Sequence, residues 1–163
     1  MESSVDAYVA HHEGLVRVHR ALLASFALLA RPGKTELDAW IPQLLQGCQF
    51  LESHHHAESS VLFAGLRRFG RLRSSDAAFL DSADDEHTQL EILRRRLLNE
   101  ARAAHPRASA IQSWNAELRV VLTRHTAGEE AGLAAERLRD MISLQGLHAI
   151  QRELEALRKV PRR

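Results

Sequence analysis

Two hard breaks interrupt this chain, Arg31-Pro32-Gly33 and His105-Pro106, and a weaker one falls near residues 70–75. The long stretches between them carry apolar residues at helical spacing, with no β-branched alternation. Four helices joined by short connections leave few alternatives to an all-α, up-down-up-down four-helix bundle. The expected helices cover about 5–30, then from the Thr35/Asp38 capping box to about 69, then from a Ser75 cap followed by Asp76 to just before Pro106, then about 108–139. Pro42 lies close enough to the start of the second helix to be tolerated, or to bend its first turns. A shorter amphipathic segment, about 144–159, puts Leu147, Ile150, Leu154 and Leu157 on one face and is expected to pack outside the bundle. At 163 residues the whole chain, 1–163, fits one domain with a sizeable core, the bundle filling about 5–139. Aromatics make up only 5%, so Leu and Ala must fill that core, and both favour helix.

Charge narrows the function classes. Lys plus Arg is 22 against 21 for Asp plus Glu, so no nucleic-acid partner and no anionic membrane surface is expected. The longest apolar run, residues 21–30, is too short to cross a bilayer and contains Ser25. The first six residues are polar and lack the basic flank of a signal peptide. Cys48 stands alone, which excludes an internal disulfide and fits a reducing, cytoplasmic location.

Ten histidines are the unusual count. Residues three, four and seven apart share a helix face. By that rule His19 points inward with Leu15, Val16, Leu22, Leu23 and Phe26. His54 follows Phe50 and Leu51 and is trailed by Glu58, Val61 and Leu62. His87 shares a face with Leu80, Ala83, Leu90 and Leu97. His125 follows Leu118, Val121 and Leu122, with Glu129 and Leu133 beyond. Each long helix thus presents a histidine to the core, and two add a glutamate one turn on. Three His-x-x-x-Glu pairs occur (54/58, 87/91 and 125/129), against about one expected by chance for 10 His and 14 Glu in 163 residues. Buried carboxylates without a partner cost several kcal/mol or shift their pKa. A pair of cations shared by His19, His54, Glu58, His87, His125 and Glu129 removes that cost; imidazole suits iron, zinc, copper and nickel, and carboxylates bridge paired ions.

These segments, VHRALL around His19, FLESHHHAESSVLF around His54 and Glu58, DDEHTQLE around His87 and LTRHTAGEEAGL around His125 and Glu129, resemble the hemerythrin-like family, in particular its HHE cation-binding branch. The resemblance covers roughly residues 5–138. It implies two non-heme irons, oxo- or hydroxo-bridged, one held by His19 and His54 and the other by His87 and His125, with Glu58 and Glu129 spanning them. Oxygen-carrying relatives have a second histidine on the third helix. Here the i+4 position is Glu91 and the i−4 position is Ala83, so one iron is expected to lack a nitrogen ligand. That turns the expectation from stable oxygen transport toward binding or sensing of a diatomic gas, peroxide, iron supply or redox state. Ser59, Ser60 and Ala64 replace acidic residues and a proline that relatives often carry.

The remaining residues get plainer readings. Glu91 is expected on a solvated face, His55 and His56 at the surface or behind the ligands, and His12 as a half-exposed packing residue near the bundle mouth. His11, His105 and His148 are expected at the surface, Cys48 as an inert half-buried thiol, and Tyr8, Trp40 and Trp114 at helix ends or edges. The Arg67/Arg68 and Arg94–Arg96 runs are expected on solvated faces. Two other functions stay open. One is a di-iron ferroxidase or peroxide-consuming enzyme, which ordinarily uses Glu-x-x-His pairs; here only Glu52/His55 fits. The other is a metal-stabilised interaction module whose C-terminal helix is a docking or homodimer face. Zinc or manganese in place of iron is equally compatible with such ligands.

Overall fold

A computed structural model of the protein describes residues 6–27 and 37–159. In chain order its elements are α1 (Ala7–Ala27), α2 (Leu37–Ala57), a π-helical turn (Glu58–Phe63), α3 (Ala64–Phe69), α4 (Ser74–Ala101), α5 (Ala108–Gly132), α6 (Ala135–Met141) and α7 (Leu144–Lys159). The ends of the first expected helix and the Thr35 cap of the second lie outside the described residues. No helix among the described residues is long and apolar enough to cross a membrane.

The order in which each helix buries its side chains gives the topology. The core is two apolar clusters. One holds Leu22, Phe26, Leu44, Leu51, Leu90, Leu97, Leu118 and Leu122; the other holds Leu15, Val61, Phe63, Leu66, Leu80, Leu133, Leu138 and Ile150. α1 runs from the second cluster (Leu15) to the first (Leu22), α2 with its π turn runs back (Leu51 to Val61), α4 returns (Leu80 to Leu90), and α5 reverses again (Leu122 to Leu133). The helices therefore alternate up and down, and each packs on two neighbours, closing the ring α1–α2–α4–α5. Between the clusters the four helices of the ring cross the same level, and each buries a histidine there: His19, His54, His87 and His125. A polar belt divides the oil.

Several local features depart from the sequence expectation. The second helix widens into the π turn at Glu58. One extra residue per turn shifts the phase of the residues beyond it, so Val61, Leu62 and Phe63 are all buried in succession. The cap of α4 is Arg73, not Ser75: Arg73 N–H donates to Asp76 Oδ2 (3.0 Å), while Asp76 N–H donates to Arg73 O (3.0 Å). The fourth helix stops at Gly132 rather than near 139. A Cβ there would sit 2.3 Å from the Phe79 ring of α4, so any larger residue would have to displace that ring, and after Leu133 the chain restarts as α6. α7 packs outside the bundle against α3, the π turn and α1, as its stripe predicts.

Two interior side chains also differ from expectation. Arg94 is only 7% exposed, because it lies seven residues after His87 on the inward stripe. Its guanidinium donates twice to Glu91 (2.6 and 2.8 Å) and once to Glu52 (3.2 Å), so the buried charge is paired. Cys48 is fully buried rather than half-buried, and burial pushes its thiol up to about 12. An aromatic disulfide reagent at about pH 8 is therefore expected to leave Cys48 unmodified in folded protein and to label it fully once the chain is unfolded in guanidinium. Rapid labelling of the native fold would contradict this burial.

Candidate metal centre

Helix geometry brings the belt together. On α2, His54 and Glu58 are one turn apart on one face. His55 is rotated about 100° from His54, and Glu58 projects about 40° from it, between the two imidazoles. His54 and His55 can thus face two neighbouring centres while Glu58 serves both. On α5, His125 and Glu129 repeat the one-turn spacing.

All six residues singled out in the sequence are buried and converge. His54 Nε2 lies 3.2 Å and His19 Nε2 3.8 Å from Glu58 Oε1, whereas His87 Nε2 lies 3.4 Å from Glu58 Oε2. Glu129 mirrors this: Oε2 is 3.2 Å from His19 Nε2, and Oε1 is 3.5 Å from His87 Nε2 and 3.3 Å from His125 Nε2. Each carboxylate sends one oxygen to each side. Two four-residue groups result, His19/His54/Glu58/Glu129 and His55/Glu58/His87/His125, with the ligand atoms of each group within 4.8 Å of one another.

His55 is the residue the sequence reading misplaced. It is buried, and its ring stacks on His87 at 4.1 Å between centroids. On the His87 side, where a nitrogen donor was expected to be lacking, His55 of α2 places a further imidazole beside His87 and His125. Its signal was available in the 100° step from His54 with Glu58 between. Glu91 is bound to Arg94 and Arg95 and belongs to neither group. His11 is not at the surface either. It is half-buried, and its Nε2 is buried without a hydrogen-bond partner.

Behind the belt stand acceptors that the sequence did not single out. His19 Nδ1–H donates to Glu130 Oε1 and His125 Nδ1–H to Glu86 Oε2, both at 3.0 Å. His87 Nδ1–H donates to Ser59 Oγ (2.8 Å), which donates on to Asp84 Oδ1 (2.8 Å). Each bond holds the proton on Nδ1 and leaves Nε2 aimed inward, as in carboxylate–histidine–metal arrangements.

The electrostatics match. Burial pushes His54 and His55 down, so both are neutral donors. Burial also pushes His19 and His87 down, but Glu129 and Glu58 outweigh it and lift them to about 10 and about 9. The same contacts hold both carboxyls ionised: burial raises them, and the imidazoles overcome it. The centre thus presents two carboxylates ringed by imidazoles. His19, His54 and His55 Nε2 and all four oxygens of Glu58 and Glu129 are buried with no hydrogen-bond partner. Seven such atoms gathered in two adjoining groups are costly unless something charged sits among them. A cation pair fits that need, and nitrogen plus shared carboxylate is a donor set that suits iron.

A cleft of about 1000 Å³ lies between α1, α2 and α7, and His11, His54 and Glu58 line it.

The family comparison agrees with this geometry. Residues 5–137 match the hemerythrin HHE cation-binding domain. The chain belongs to that family, and its His/Glu cluster fits a metal site. No curated protein and no solved structure matches the chain.

Proposed function

We propose that the protein holds two non-heme irons and binds or senses oxygen, peroxide or the redox state of its iron. His19 and His54 would hold one ion, His55, His87 and His125 the other, and Glu58 and Glu129 both. The observation that supports this most strongly is the split of each carboxylate, with one oxygen facing each imidazole group. A single ion would leave half of those oxygens unexplained.

The two halves are unequal. The His19/His54 side offers two nitrogens, the other side three. The poorer side is also the one whose His54 and Glu58 face the cleft. A small ligand arriving from solvent would meet the ion that has the fewest protein donors. When bound, iron supplies redox exchange and a place for that ligand. The chain's residues supply the rest. They hold imidazole protons on Nδ1 through Glu130, Glu86 and Ser59, keep the carboxylates ionised, and exclude bulk water with the two apolar clusters. The histidine-rich set differs from the Glu-x-x-His pairs of ferroxidases, which favours binding or sensing over turnover. The lone Cys48 supports placing this work in the cytoplasm.

Chelator-treated protein loaded anaerobically with ferrous iron is expected to take up two irons per chain. His55→Ala is expected to retain about one, on the His19/His54 side, whereas His54→Ala is expected to lose that ion and to retain the one beside His55, His87 and His125. On exposure to air, the wild type should develop near-ultraviolet ferric absorption that His55→Ala lacks in large part. Iron content unchanged in both variants would refute the assignment, and zinc or manganese in protein purified without a tag would redirect it to another metal.

A further inference from the structure

The cleft has a polar outpost that the proposed ligand set does not use. His11 lies on α1 eight residues before His19, about two turns away along the helix, and lines the cleft. Its Nε2 is buried without a partner, and burial holds the ring below its usual pKa, leaving a neutral nitrogen donor. His54 and Glu58, which also carry orphaned atoms, line the same cleft. A hydrated divalent cation crossing about 1000 Å³ of space finds no other imidazole along the cleft walls before His54.

α7 makes the third side of this passage. Its first half is pinned: Leu147 and Ile150 enter the core, and Ile150 lies so close to Gly65 that a Cβ there would meet it at 2.5 Å. Arg68 pairs with Glu153 alongside. Past that anchor α7 buries no residue fully: Leu154 and Leu157 still pack against the second apolar cluster, and Gln151, Leu154, Glu155 and Arg158 line the cleft. The lining carries two charges of each sign, Arg17 and Arg158 against Glu58 and Glu155. It therefore does not repel a cation as a whole.

The geometry points to the cleft as the route by which divalent metal reaches the centre, with His11 as a transient ligand that passes the incoming ion to His54 and Glu58. This rests on the di-metal reading above. In that role His11 is a positioning residue for loading, absent from the finished ligand set, so it changes rates and not final occupancy.

Anaerobic stopped-flow uptake of cobalt(II) by chelator-treated protein tests this directly, through visible absorption that appears as the ion enters a nitrogen–oxygen site. His11→Ala is expected to slow uptake about tenfold, roughly the effect of one lost contact on a barrier. Release to excess chelator should slow by the same factor, and two cobalt ions per chain should still bind at the end. Gln151→Trp, which narrows the passage from the α7 side without touching the apolar cluster, is expected to slow uptake in the same way, with thermal melting unchanged. Wild-type rates in both variants would overturn the route. A final stoichiometry below two in His11→Ala would overturn it too, by making His11 a resident ligand. Failure of the wild type to take up any cobalt would instead remove the di-metal reading on which the route rests.

Discussion

Glu58→Gln is expected to strip the protein of both ions while leaving the helices intact. Glu58 is the residue common to both four-residue groups, and its two oxygens face opposite sides. The amide keeps the shape of the side chain but offers one neutral oxygen in place of two charged ones. Loss of a group that merely supports a ligand weakens metal binding about 10–100-fold, so losing a shared carboxylate should exceed about 100-fold at each ion. Far-ultraviolet circular dichroism should show wild-type helix content, since both apolar clusters are untouched. Glu129→Gln should behave alike. By contrast, Glu91→Gln should retain both metals, because Glu91 is engaged by Arg94 and Arg95 away from the centre. A Glu58→Gln protein that still carries two ions would show that the carboxylate is a structural ion-pair member only.

The second large effect is a competition between metal and protons. In chelated protein the two carboxylates hold His19 at about 10 and His87 at about 9. A histidine raised in the folded state stabilises fully below its unfolded value of about 6.5, and that contribution fades as pH climbs through 9 and 10. The depressed Glu58 and Glu129 act oppositely, stabilising above about 4.5 and losing that contribution as acid protonates them. Burial depresses His11, His54 and His55, which costs stability as pH falls below about 6.5, so chelated protein should be most stable near pH 6.5 and lose a few kcal/mol toward pH 10. Metal-loaded protein should lack that alkaline decline, because cations replace the protons. Loading at pH 7 should release about two protons per chain, read with a pH indicator in weak buffer. Release of none would mean that these imidazoles are neutral before metal arrives.

How much of this was legible in the sequence depends on the kind of signal each feature leaves. The bundle was legible because 3.6-residue periodicity and prolines act locally. The six belt residues were legible because each sits on its own helix's apolar stripe, which is one-dimensional information. His55 was not, since its neighbour His54 already occupied the stripe and an adjacent residue was read as turned away. Only the position of Glu58 between them shows that two directions are used. Arg94 was hidden by its place in an arginine run, although its spacing from His87 placed it inward. Glu86, Glu130 and Ser59 were illegible for a different reason: each accepts a hydrogen bond from an imidazole on another helix, and Asp84 joins His87 of its own helix only by way of Ser59, contacts set by packing distance and not by spacing. The π turn leaves no compositional trace in ESSVLF, and Gly132 reads as neutral until Phe79 is seen against it.

The layer of imidazoles and carboxylates across the middle also decides how damage spreads. Truncations at Leu22 and Leu138, on opposite sides of it, share no neighbours in the apolar clusters, so their costs should add. Two truncations within one cluster, such as Leu138 and Ile150, should not. The molecule tolerates drift in its two halves separately, and what it cannot spare is the seam where they meet.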